Sequence, residues 1–172
     1  NHDEVISSNM HIYQIYMDTQ DTVKAIDYLQ WCITEFPEEA WFTQNLINVY
    51  INANNVDEAI KTLDLAINRE PNVGQYHLTK ASIIAVLQGD YEASFACYDK
   101  AIDLNTQERY YAEYQRAVTL GVQNKAQEKI TSLQRIVSAD RGDYVDAATY
   151  ELGRTYIAQE KYQDGVKILE DF

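Results

Sequence analysis

Residues 54–71, "NNVDEAIKTLDLAINREP", place Ala59, Ile60, Leu63 and Ala66 at i, i+1, i+4 and i+7, the spacing that puts apolar side chains on one face of a helix. Asn55 stands just ahead of that run as a candidate N-cap, with Glu58 three residues on as in a capping box, and Pro71 marks its end. Immediately upstream, Leu46, Ile47 and Tyr50 trace another helical face, and only "NANN" separates the two. Two helices joined by so short a turn must fold back on each other as a hairpin.

Working outward, the same hairpin returns. Tyr16 and Tyr50 are 34 residues apart, as are Ala25 and Ala59, Leu29 and Leu63, Cys32 and Ala66, and Pro37 and Pro71. Residues 89–105, "GDYEASFACYDKAIDLN", repeat the pattern after one inserted residue, which is assigned to the turn around Gly74. Asp21 and Asp90 occupy the N-cap place of their own repeats. "KAQEKITSLQRIV" (125–137) keeps the amphipathic pattern but sets Lys129 where a small residue is expected, and "YELGRTYIAQEKYQDG" (150–165) restores the small residues. The reading is a single repeat domain over 1–172, divided at 4–39, 40–74, 75–109, 110–145 and 146–172, the fourth repeat degenerate and the last cut short.

Composition agrees. The chain has 6 Gly and 2 Pro in 172 residues, too little punctuation for many tight β-turns, and 46% hydrophobic residues, so the fold class is all-α. A net charge of −13 without a basic cluster removes the footprint of a nucleic-acid binder. No apolar run reaches the length of a bilayer span, and no charged-then-apolar leader opens the chain. The polypeptide is expected to be soluble as given, with the compartment open: cytoplasmic, or periplasmic or secreted if a leader has been removed.

Helices of a hairpin approach closely only where small side chains meet, which assigns Ala25, Ala59 and Gly153 to the crossings. Tyr16, Tyr50 and Tyr156 then fill the wider space between hairpins, each hydroxyl free to reach a polar partner.

Leu152, Gly153, Tyr156, Tyr162 and Gly165, with Leu46, Tyr50, Ala59, Leu63, Ala66 and Pro71, resemble the tetratricopeptide repeat, which has 34 residues. The likeness spans nearly the whole chain, although no tryptophan stands at the usual place and Trp41 lies two residues early. The resemblance implies a right-handed superhelical solenoid of antiparallel helix pairs whose first helices line a concave groove. It also implies a non-catalytic module or scaffold that takes a peptide or a partner's helix in that groove.

Helical phase selects the residues that would face it: Ser7, Met10, Gln14 and Met17; Trp41, Gln44, Asn48 and Ile51; Tyr76, Thr79, Ile83 and Val86; then Tyr111, Tyr114, Val118, Tyr150 and Arg154. The lining is aromatic and aliphatic with amides between, which suits a partner with apolar or aromatic anchors. Some relatives capture a terminal carboxylate with Lys, Arg and Asn on successive first helices; only Asn48 matches that set here. An alternative use is end-to-end self-assembly through Ile168, Leu169 and Phe172, since a repeat without a covering helix is expected to continue into further chain or to meet a partner.

Nothing in the chain points to an enzyme, a cofactor or a metal. His2, His11 and His77 lack ligand spacing, and no phosphate loop or nucleophile elbow is present. Cys32 and Cys97 read as small apolar residues within helices. Arg141-Gly142-Asp143 spells a tripeptide known from adhesion ligands, but it falls in an expected turn, where Gly and Asp have conformational reasons to be.

Overall fold

The computed structural model describes residues 2–104, 106–139 and 143–170. These residues are almost entirely helical and divide into two compact units, Asn1–Arg69 and Glu70–Phe172.

The amino-terminal unit holds α1 (His2–Asp18), α2 (Thr22–Glu35), α3 (Ala40–Asn52) and α4 (Val56–Arg69), each packed on the next in order. Ala25 and Ala59 are fully buried, as the close crossings require, and Leu29, Phe42, Ile47 and Leu63 complete the interior. Asp21 caps α2 by accepting the Lys24 backbone N–H at 3.2 Å, and Lys24 returns an ion pair at 2.7 Å. Asn55 takes the N-cap place of α4, its carbonyl accepting the Ala59 N–H at 3.2 Å.

The carboxy-terminal unit holds α5 (Gly74–Ile83), a π-helical turn (Ile84–Gln88), α6 (Tyr91–Asp103), α7 (Arg109–Val122), α8 (Ala126–Ala139), α9 (Val145–Ala158) and α10 (Tyr162–Glu170). Leu78, Tyr98 and Leu120 centre one part of its core, and Ala117, Ile130, Leu133 and Leu152 another. At the α9–α10 crossing, a Cβ on Gly165 would stand 3.0 Å from the carbonyl oxygen of Gly153, so the two glycines permit backbone contact.

Every hairpin turn contains one residue in the left-handed region: Gln20, Asn54, Gly89, Asn124 and Glu160, with φ between 55° and 70°. In four of them the N–H of the following residue bonds a carbonyl five residues back, as Asn55 does to Tyr50 at 2.8 Å. Asp21, Lys125 and Lys161 do the same to Tyr16, Leu120 and Tyr156. This is the Schellman closure of a helix end.

The third turn differs. There the Asp90 N–H reaches six residues back, to the Ile84 carbonyl at 3.1 Å, across the π-helical turn. The inserted residue therefore sits at the end of α5 and not around Gly74, which simply opens α5 as Ala40 opens α3. A π turn closes i→i+5 and so absorbs one extra residue without breaking the helix.

Candidate functional site

The π turn shapes the surface beside it. A groove of about 430 Å³ runs between the end of α5 and α7, floored by Tyr98 of α6. Ser82, Ala85 and Val86 form one wall, and Tyr111, Gln115, Val118, Thr119 and Val122 the other. No charged side chain lines it. Val86 is 78% exposed, Val122 58% and Val118 37%, so the walls present apolar surface to solvent. The α7 residues fall at i, i+4, i+7, i+8 and i+11, one helical face turned away from the buried Ala117 and Leu120.

Tyr111 is held by a ring stack that the sequence did not disclose. It lies 5.0 Å from Tyr144 at an interplanar angle of 27°, and Tyr114 meets the same ring at 5.9 Å. Tyr144 immediately precedes α9, outside the helical phase used to select candidate residues. Its ring fixes Tyr111 at the groove's rim and fills space from the other side. Burial pushes the Tyr114 hydroxyl above its ordinary pKa, so this phenol stays neutral.

The other residues selected by phase are distributed as follows. Tyr76 and Ile83 are 3% and 4% exposed, a correction to their placement as groove lining. Their selection assumes the inserted residue at Gly74, which aligns them with Trp41 and Asn48; with the insertion at the end of α5 they stand 34 residues after Phe42 and Val49, both buried, and the open stripe of α5 is Gln75, Thr79 and Ser82. Thr79 is half-buried and accepts from Gln75 at 3.2 Å. Tyr150 is exposed with the Arg154 guanidinium 5.7 Å above its ring, and Arg154 pairs with Glu151 at 3.5 Å.

In the amino-terminal unit Met10 and Trp41 are half-buried, Trp41 edge-on to Tyr13 at 5.5 Å and to Phe42 at 5.4 Å. Gln14 donates to Asp18 at 2.8 Å, and Gln44 to Asn48 at 3.2 Å, so these amides are already engaged with neighbours one turn away.

Two recurrent contacts hold first helices to the preceding second helix. Gln30 of α2 donates to the Tyr50 hydroxyl at 3.0 Å, and Gln134 of α8 to that of Tyr156 at 2.9 Å. The tyrosines are thus anchored by their hydroxyls between hairpins, as their spacing suggests. Lys129, at the place of the expected small residue, lays its stem beside Gly121 and pairs with Glu151 at 2.5 Å.

At the last hairpin the residues assigned to an open end turn inward. Leu169 covers Gly153, its Cγ 2.6 Å from where a Cβ would be, and Ile168 packs on the α7–α9 core. Tyr162 (59%) and Val166 (47%) are the exposed apolar side chains of α10, while Phe172, Arg141 and Gly142 lie outside the described residues. Among the described residues no group of three or more His, Cys, Asp or Glu could hold a metal ion, and no helix is long and apolar enough to cross a membrane. Cys32 and Cys97 are not joined in a disulfide, and burial pushes Cys32 up to about 11, leaving it unreactive as a thiolate.

The sequence pattern described as tetratricopeptide repeat matches residues 16–83 and again residues 78–108. The chain belongs to the tetratricopeptide repeat family. Its fold is similar to that of MamA, at 17% identity and a TM-score of 0.71 over 98% of this chain and 90% of that one. PilW, a type IV pilus biogenesis factor, aligns at 19% identity and a TM-score of 0.65 over 95% of this chain and 78% of that one. YrrB, described as a tetratricopeptide repeat protein with an unusual peptide-binding site, aligns at 16% and 0.63, over 94% and 81%. At these identities the likeness is one of fold. No curated protein matches the chain. Tetratricopeptide repeat proteins are generally non-catalytic scaffolds for protein–protein interaction.

Proposed function

We propose that this tetratricopeptide repeat protein is a non-catalytic interaction module that receives a partner's peptide or helix in the groove between α5 and α7. The observation that carries this reading is the combination of an uncharged, tyrosine-rimmed cleft with solvent-exposed Val86, Val118 and Val122 on a chain of net charge −13. Exposed apolar surface gathered in a concavity stabilises an incoming side chain by burial, and rigid aromatic rims add little entropy cost.

Val118→Asp with Val122→Asp tests it, because both positions are open enough to accept a charge without disturbing the core. Circular dichroism should be unchanged while a bait made of the variant loses a partner that the parent retains. Equal recovery by both proteins would remove the groove from the function. The Tyr111→Ala and Tyr114→Ala pair is a poorer test, since it also strips the rings stacked on Tyr144.

Exposed Tyr162 and Val166 favour a second reading, end-to-end self-assembly through α10. On that reading Val166→Asp lowers the mass seen by light scattering at high concentration and leaves partner capture intact.

A further inference from the structure

The inserted residue of the π turn alters what the groove accepts. Counted back from the left-handed turn residue, Val86 stands where Met17 and Ile51 stand in the two earlier hairpins, and both of those are half-buried. One extra residue rotates the side chains that follow it by about 100° around the helix axis. Val86 is accordingly turned out to 78% exposure, with Leu87 at 45% beside it. Such turns are rare and are frequently found at functional sites. Here its product is an apolar lip over a cleft.

The charge around the cleft selects the rest of the ligand. Its lining is neutral, so a charged anchor entering it would lose hydration without a counter-charge. One turn back along the face that bears Tyr111, Gln115 and Val118, just ahead of α7, stands Glu108, whose Oε2 accepts the Thr106 hydroxyl at 2.6 Å, and the chain as a whole is net −13. A segment with cations beside its apolar anchor is attracted on approach, and one with carboxylates there is repelled.

We propose that the one-residue insertion at Ile84–Gln88 makes this groove an anchor pocket for a large apolar side chain in a peptide segment flanked by lysine or arginine. The proposal rests on the groove being the binding face and adds the device that shapes it and the chemistry it takes.

The test is a titration of the isotope-labelled chain, followed by amide NMR shifts, with three blocked peptides. One is Lys-Lys-Ala-Leu-Phe-Ala-Lys-Lys, the second replaces each lysine with glutamate, and the third replaces Leu-Phe with Ser-Ser. The lysine peptide should shift the amides of Val86, Val118 and Val122, with each counterpart at least about tenfold weaker there. Val86→Ser, a change at an open position that leaves the fold intact, should weaken the lysine peptide about tenfold, as should deletion of Leu87 if that variant folds.

Equal binding by the glutamate peptide, or undiminished groove shifts with the serine peptide, overturns the proposed ligand chemistry. Unchanged affinity of Val86→Ser overturns the role of the π turn while the groove reading stands. Shifts that miss the groove altogether overturn both.

Discussion

Glu113 illustrates how a single side chain can work against the fold that contains it. It is 2% exposed on α7, with Arg135 of α8 at 3.7 Å from Oε1, Arg109 and Arg116 on its own helix, and no hydrogen-bond partner on Oε2. Loss of hydration outweighs the guanidinium charges and holds its carboxyl above the ordinary range. A carboxyl whose folded pKa is raised contributes stability below its unfolded pKa and withdraws it as pH rises through the folded value. Glu113→Gln should therefore raise the unfolding temperature at neutral pH, with the difference closing as pH falls through the raised folded value and gone below the ordinary carboxyl value of about 4. A gain that persists unchanged at pH 3 would show that ionisation is not its source. Gly165 presents the opposite case, in which the smallest residue is required. An alanine there meets the Ile157 side chain and, behind it, the Gly153 carbonyl and Ile157 N, backbone that cannot move aside, whereas at Gly153 its nearest neighbours are atoms of the flexible Leu169 side chain. Gly165→Ala should cost about 1–3 kcal/mol in denaturant unfolding and Gly153→Ala less.

At the scale of the element, the helix ends explain how one turn recurs through unlike sequences. The left-handed position is filled by Gln20, Asn54, Gly89, Asn124 and Glu160, only one of them glycine. Left-handed backbone costs a residue with a Cβ roughly 1–2 kcal/mol, partly offset by the smaller entropy it loses on folding. Nothing lies within 4 Å of where a Cβ on Gly89 would stand, so Gly89→Ala reads the backbone cost alone and should lower stability, by about 1 kcal/mol. Glu160→Gly should raise it by a smaller amount, and chemical denaturation of the pair checks both signs.

The hairpins, their small-residue crossings and the caps at Asp21 and Asp90 were legible in the sequence because each depends on neighbours a few residues away. The position of the inserted residue was not. Counting shows that the register slips by one between Pro71 and Asp90, but a turn or a helix can absorb the slip, and only the Asp90–Ile84 hydrogen bond tells which. Tyr76 and Ile83 are misplaced by that same slip: an insertion at Gly74 aligns them with Trp41 and Asn48, whereas an insertion at the end of α5 aligns them with the buried Phe42 and Val49. Tyr144 is invisible to it because it belongs to a turn, where no periodicity marks a residue for contact with Tyr111.

Over the whole molecule, charge is unevenly placed with respect to apolar surface. The groove of the carboxy-terminal unit is neutral, while the chain carries 27 acidic residues against 14 lysines and arginines. On the proposed reading that excess accelerates encounter with a cationic segment, so association should slow as salt shortens the Debye length from about 10 Å at 0.1 M to about 3 Å at 1 M, while dissociation, governed on the same reading by the apolar anchor, changes little. Stopped-flow mixing with the partner at the two salt concentrations separates these rates.

Whether the α5–α7 groove is the binding face is measured most directly by crosslinking. A photo-crosslinking amino acid is placed at Val118 and, in a second protein, at Val23, which is 70% exposed on α2 of the other unit. Irradiated in the native extract, the chain labelled at position 118 should yield a discrete crosslinked protein that the chain labelled at position 23 does not. The same products from both positions, or none from 118, would contradict the account.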